Sequence, residues 1–246
     1  MSWIAIAATG LGMGFLGGLF GKGGSAIATP MLYALGVPAI VAVAAPLPAT
    51  IPSTMIASLP YHRERLVDRQ VLGWSLAWGI PATVVGAVAT RWVSGDVLII
   101  ITDVVILGLG LRFLLRPADP ELLTSVVRHR RIRLVAVAVV VGLASGLLAN
   151  SGGFLLAPLY IVVLRLPIKA AFASSLAVAA VLALPGTLVH WQLGHIDWAV
   201  VATFGATSIP FSYLGAKVAL RSHPRRLERA FGGALVVLSI FFLLHR

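Results

Sequence analysis

The 246-residue chain has no cysteine, which excludes disulfides, thiol catalysis and thiolate metal sites. Charge is scarce too: 11% of residues are Asp, Glu, Lys or Arg, against roughly 25% in soluble domains. Acids are the scarcer sign, 8 against 19 Lys and Arg, for a net charge of +11. That excess is not a nucleic-acid signature, because no basic helix with interleaved aromatics could follow a phosphate backbone. The cations gather between apolar runs, where they set membrane topology. No His/Asp/Glu cluster has metal-ligand spacing, and neither a serine-nucleophile motif nor paired carboxylates occur, so no metal or cofactor is implied. The opening MSWIAIAATGLGMGF lacks a basic leader and a cleavage site, and it reads as a retained first helix.

What fills the chain is apolar: 59% hydrophobic residues and a mean hydropathy of +0.99. Apolar segments run at 2–20, 24–36, 38–60, 71–91 and 97–115, then at 133–149, 152–165, 167–190, 197–220 and 229–244. The pattern predicts an all-α integral membrane protein with the lipid bilayer as its surroundings. Segments 24–36 and 152–165 are too short to cross ~30 Å of hydrocarbon at ~1.5 Å per residue. Each contains a proline, Pro30 or Pro158, and follows a Gly-rich break. They are either tilted partial helices or the return arms of re-entrant hairpins, for a total of 8–10 membrane segments.

The two series are copies. GFLGGLFGKGGSAIATPML (14–32) aligns with GLASGLLANSGGFLLAPLY (142–160), pairing Gly14 with Gly142, Gly18 with Gly146 and Pro30 with Pro158. After a one-residue slip, Asp68 pairs with Asp197, Pro81 with Pro210 and Gly86 with Gly215. The organisation expected is a first repeat over 1–115, a basic linker over 116–132 and a second repeat over 133–246. Arg112, Arg116, Arg128, Arg130, Arg131 and Arg133 mark the linker region as cytoplasmic, and Arg221, Arg225, Arg226 and Arg229 do the same for the last gap. Loop 62–70 carries Arg63, Arg65 and Arg69, whereas its equivalent, 190–196, has no Lys or Arg. Equivalent loops therefore fall on opposite sides, and the repeats are expected to be inverted, with both termini outside.

Chemistry is expected where the copies break. Gly21, Lys22, Gly23, Gly24 and Ser25 combine a sharp turn, a helix start and a cation, a ready anion site. Asn150, Ser151, Gly152 and Gly153 repeat the break with neutral dipoles. The competing readings are close helix packing for the glycines and a snorkelling anchor for Lys22. The segment is no nucleotide loop, since G-x-x-x-x-G-K-[ST] does not occur. Ser174 and Ser175, and on the equivalent helix Thr50, Ser53 and Thr54, either donate to an oxyanion or bond a carbonyl one turn back. Pro30, Pro46, Pro48 and Pro158 are candidate hinges. Asp103 lies ~9 Å inside an apolar run, either a proton carrier or a fixed partner for Lys22 or Arg91. Asp68 and Asp197 read as helix N-caps, and His190 and His195 as interfacial residues beside Trp191 and Trp198.

The doubled Gly-rich break followed by Pro, the Ala-Ser-Ser-Leu at 173–176 and the Gly-His-Ile-Asp-Trp at 194–198 resemble the TauE/SafE family over nearly the whole chain. The resemblance implies a multi-pass permease of the bacterial inner membrane that moves sulfite, a sulfonate or a related small anion. With the repeat it suggests a secondary transporter working by alternating access, with proton coupling through Asp103. An anion channel is the alternative; an intramembrane enzyme lacks the catalytic pair it would need.

Overall fold

The computed structural model describes residues 2–21, 25–89, 104, 107–115, 129–147, 153–192 and 194–244. Lys22, Gly23, Gly24, Asp103, Asn150, Ser151 and Gly152 lie outside that set, as do the side chains of Ser25 and Pro30. The described residues are helical: α1 (Trp3–Phe20), α2 (Ser25–Ala34), α3 (Ala39–Ala44), α4 (Pro46–Arg63) and α5 (Arg69–Ala89), then α6 (Arg130–Leu147), α7 (Gly153–Val163), α8 (Ile168–Gln192), α9 (Trp198–Arg221) and α10 (Pro224–Leu244). Residues 107–115 are helical as well. Among the described helices, α1, α8 and α9 are long and apolar enough to cross a membrane. Their outward surfaces carry Ile4, Leu188 and Val218, an arrangement that suits lipid and not water.

The apolar segment expected at 38–60 is two helices. Pro46 and Pro48 have no N–H to continue the ladder from α3, so the chain restarts with Pro46 in the first turn of α4. Pro52 and Pro60 lie inside α4.

The contacts of three cations define a basic face. Arg130 pairs with Asp68 and donates to Gln70 at 2.9 Å. Arg133 donates to the Val163 carbonyl at 3.2 Å, and Lys169 to that of Leu220 at 2.6 Å. The starts of α5, α6 and α8 and the ends of α4, α7 and α9 thus share one face. Both cations at 133 and 169 complete carbonyls at helix C-termini, where the dipole favours them.

Two pairs of helices touch almost backbone to backbone. A Cβ on Gly14 of α1 would lie 2.2 Å from the Ser208 carbonyl oxygen of α9, and one on Gly215 would lie 2.1 Å from that of Phe15. Between α5 and α6 the same contacts recur: a Cβ on Gly142 would lie 2.5 Å from the Gly79 carbonyl oxygen and one on Gly86 2.3 Å from that of Leu143. In each pair the contacts advance together along both chains, so the helices run parallel. α1 and α9 set out from the face opposite the basic one; α5 and α6 set out from the basic face.

The two short helices turn back. Arg133, near the start of α6, reaches the end of α7, so α6 and α7 form a hairpin with both outer ends on the basic face. On the other side, Leu32 and Val37 after α1 share a buried cluster with Ile6 and Val200, at the starts of α1 and α9. With 10 and 11 residues, α2 and α7 extend only ~15–17 Å. Neither length reaches across the ~30 Å hydrocarbon core, and the contact between the start of α6 and the end of α7 fits the return arm of the two expectations.

Candidate functional site

α1 ends in a left-handed residue, Gly21 at φ 66, whose N–H bonds the Gly17 carbonyl. A side chain there would face more than the strain of that conformation, because a Cβ would sit 2.6 Å from the Phe172 Cα. The Gly21 carbonyl accepts from the Ser175 hydroxyl at 2.7 Å. Ser175 lies seven residues into α8, about 10 Å from its start on the basic face. The chain therefore breaks, immediately before Lys22, well inside the protein.

Of the predicted binding residues, Gly21 and Ser175 are brought together. Ser174 is likewise fully buried, and its hydroxyl accepts the Asp68 N–H at 3.1 Å. The serine pair thus holds two corners of backbone, the end of α1 and the start of α5. Ser25 begins α2 and Gly153 begins α7, so each break does lead into a helix start. Pro158 is inside α7 and Pro30 inside α2.

Thr50 and Ser53 line a small cavity with Thr54, Ser208 and Ser212, closed on its other side by Gly14, Gly17 and Gly18 of α1. Its free volume is about 10 Å³, room for one water. Every hydroxyl has a partner: Thr50 donates to the Pro46 carbonyl at 2.8 Å, Thr54 to that of Thr50 at 2.8 Å, and Ser212 to that of Ser53 at 2.8 Å. Ser53 and Ser208 share a bond of 3.0 Å. The hydroxyls thus form a closed polar seam between α1, α4 and α9 in an otherwise apolar interior. Burying these groups without partners would cost about 1–3 kcal/mol each.

Sequence reasoning missed Ser208 and Ser212. The counterpart of Ser208 in the first copy is Gly79 and that of Ser212 is Thr83, and only the α4–α9 contact makes the two serines partners of Ser53. The expected caps are found: the carboxylate of Asp197 accepts from Ala199 and Val200, and that of Asp68 from Gln70 and Val71. His190 and His195 face each other at 3.2 Å, beside an edge-to-face Trp191–Trp198 pair. Among the described residues, no three His, Cys, Asp or Glu side chains converge as a metal site.

The family model for the sulfite exporter TauE/SafE matches residues 6–242. A probable membrane transporter protein of Xylella fastidiosa (strain 9a5c) is 28% identical over 98% of this chain and 94% of its own length. The probable membrane transporter protein YjnA of Bacillus subtilis (strain 168) is 23% identical, over 95% and 97%. YunE of the same organism, also described as a probable membrane transporter protein, is 23% identical over 89% and 87%. No solved structure matches the chain.

Proposed function

The chain belongs to the sulfite exporter TauE/SafE family, and from that premise we propose that this multi-pass membrane protein is a secondary transporter of a small oxyanion, sulfite or a sulfonate. The observation that carries the reading is the buried hydroxyl seam of Thr50, Ser53, Thr54, Ser208 and Ser212 beside the break that ends α1. Hydroxyls that now donate to carbonyls can swing to an oxyanion without stranding a donor. The seam has room for one water but not for an anion, so transport requires it to widen, as alternating access demands.

The exchanged packing supports an inverted pair of repeats. α1 lies along α9 by the same residues that lay α6 along α5, yet α1 and α6 start from opposite faces. Lys22 follows directly on the buried Gly21 corner, where its charge and the start of α2 would meet the anion. Asp103 is the candidate for proton coupling. Pro46 and Pro48, at the α3–α4 break, and Pro30 and Pro158, in the return arms, are the proposed hinges. The basic face is taken as cytoplasmic, with the linker 116–132, which leaves both termini outside in a bacterial inner membrane.

Purified protein in proteoliposomes should take up labelled sulfite or a simple sulfonate saturably and exchange it in counterflow. Non-saturable flux without counterflow would make it a channel. Lys22→Gln is expected to raise the half-saturating anion concentration by tenfold or more, the loss of a charge-assisted contact. An unchanged value would remove Lys22 from the site.

A further inference from the structure

On the basic face, a cavity of about 650 Å³ opens between α4, α5 and α8, lined by Ser58, His62, Arg63, Arg65, Arg69 and Ala177 among others. It is of a size to hold a small ligand with its water. Three arginines are among its lining residues and no acidic residue is. The nearest acids are Glu64, which is exposed, and Asp68, whose carboxylate is engaged by Arg130 and by the first turn of α5. The cavity reaches the α4–α8 contact. Ser58 and Ala177 line it, while their chain neighbours Ala57 and Leu176 line the hydroxyl seam.

Arg65 stands out among the three cations by its backbone. It occupies the left-handed region at φ 54, and its repeat counterpart is Gly194 at φ 70. Both close the same helix cap. Arg65 N–H bonds the His62 carbonyl at 3.0 Å and Leu66 N–H that of Tyr61 at 3.1 Å; Gly194 bonds Trp191 at 3.0 Å and His195 bonds His190 at 3.0 Å. The fold demands this conformation in both copies. Glycine takes it freely, and a side chain pays for it in strain. Topology alone does not call for arginine here, because Arg63 and Arg69 already make the loop basic. Arg165, at φ 55 with Gly36 at φ 81 as its counterpart, makes the same exchange away from the cavity, so it is the place of Arg65 in the cavity wall, and not its backbone alone, that points to a role.

We propose that this cavity is an oxyanion-collecting vestibule, anchored by Arg65 with Arg63 and Arg69, that feeds the hydroxyl seam; it rests on the transporter reading. Planar guanidinium groups suit sulfite, sulfate or sulfonate oxygens by paired hydrogen bonds. A phosphate headgroup of an anionic lipid offers the same oxygens, so the test separates the two.

The measurement is sulfate binding to the full-length protein in nanodiscs of neutral phosphatidylcholine, read as thermal stabilisation at constant ionic strength with chloride as reference. Wild type should respond to sulfate. Arg65→Gly should fold at least as stably, having shed the strained side chain, but bind sulfate on the order of fivefold more weakly, between an exposed ion pair and a buried charge-assisted bond. Arg65→Lys should keep part of the response. An Arg65→Gly protein with the wild-type sulfate response overturns the vestibule. So does a wild type that ignores sulfate in neutral discs and is stabilised only by anionic lipid. If binding behaves as expected yet wild type carries no anion flux, the transporter reading fails and the anion site stands.

Discussion

At the scale of single residues, Gly21 and Gly36 separate two costs that glycine usually hides together. Both are left-handed, at φ 66 and 81, but a Cβ on Gly21 collides with α8 whereas one on Gly36 meets nothing within 4 Å. Gly21→Ala should therefore lose about 2–4 kcal/mol, strain plus overpacking. Gly36→Ala should lose only about 1 kcal/mol. Chemical or thermal unfolding in detergent measures both, and equal losses would mean that the Gly21 corner is not docked on α8. Ser175→Ala leaves the buried Gly21 carbonyl without its hydroxyl partner, and about 1–3 kcal/mol is expected. At the seam, Thr54→Val keeps shape and removes a hydroxyl; anion affinity should fall while the protein remains folded. Ser174 and Ser175 were legible as serines early in a helix, but which backbone each would hold was not. Their partners, Asp68 and Gly21, lie 106 and 154 residues away.

At the scale of elements, close approach decides the design. Gly14 on α1 and Gly142 on α6 each press against a carbonyl of the parallel helix beside them. Without a hydrophobic drive between helices in lipid, such backbone contact supplies van der Waals packing. Gly14→Ala and Gly142→Ala should each destabilise by a comparable amount, about 1–3 kcal/mol, because they occupy the same place in two copies of one interface. Gly12 and Gly73, around which a Cβ finds open space, should tolerate alanine with no loss and up to about 1 kcal/mol of gain. If Gly14→Ala melted like Gly12→Ala in a thermal unfolding series, the α1–α9 packing described here would be wrong. The helical breaks were legible because Gly and Pro act locally on the backbone. The division of 38–60 into α3 and α4 follows from the missing N–H groups of Pro46 and Pro48, which a hydropathy pattern does not register.

At the scale of the whole molecule, the basic ends of α4, α6, α7 and α9 lie together on one face, and α1 starts from the other. The chain has no cysteine, so single cysteines can be read without background. Ser2→Cys should react with an impermeant maleimide in intact cells. Ser222→Cys, beside the Lys169–Leu220 contact, should react only after the membrane is opened. Labelling of both from outside, or of Ser222→Cys alone, would contradict the proposed orientation.

Composition alone set the membrane environment, because so apolar a chain cannot cover itself in water. Internal likeness is the ground for the proposed doubling, and the placement of arginine for the proposed sidedness of the loops; all three are local or cumulative properties. Tertiary structure alone decided that α1 lies along α9 and α5 along α6, that the end of α7 meets the start of α6, and that Ser208 and Ser212 join Thr50, Ser53 and Thr54. Small residues permit close approach to any neighbour. Which neighbour is chosen depends on shape matched across more than a hundred residues of chain, and no local pattern carries that information.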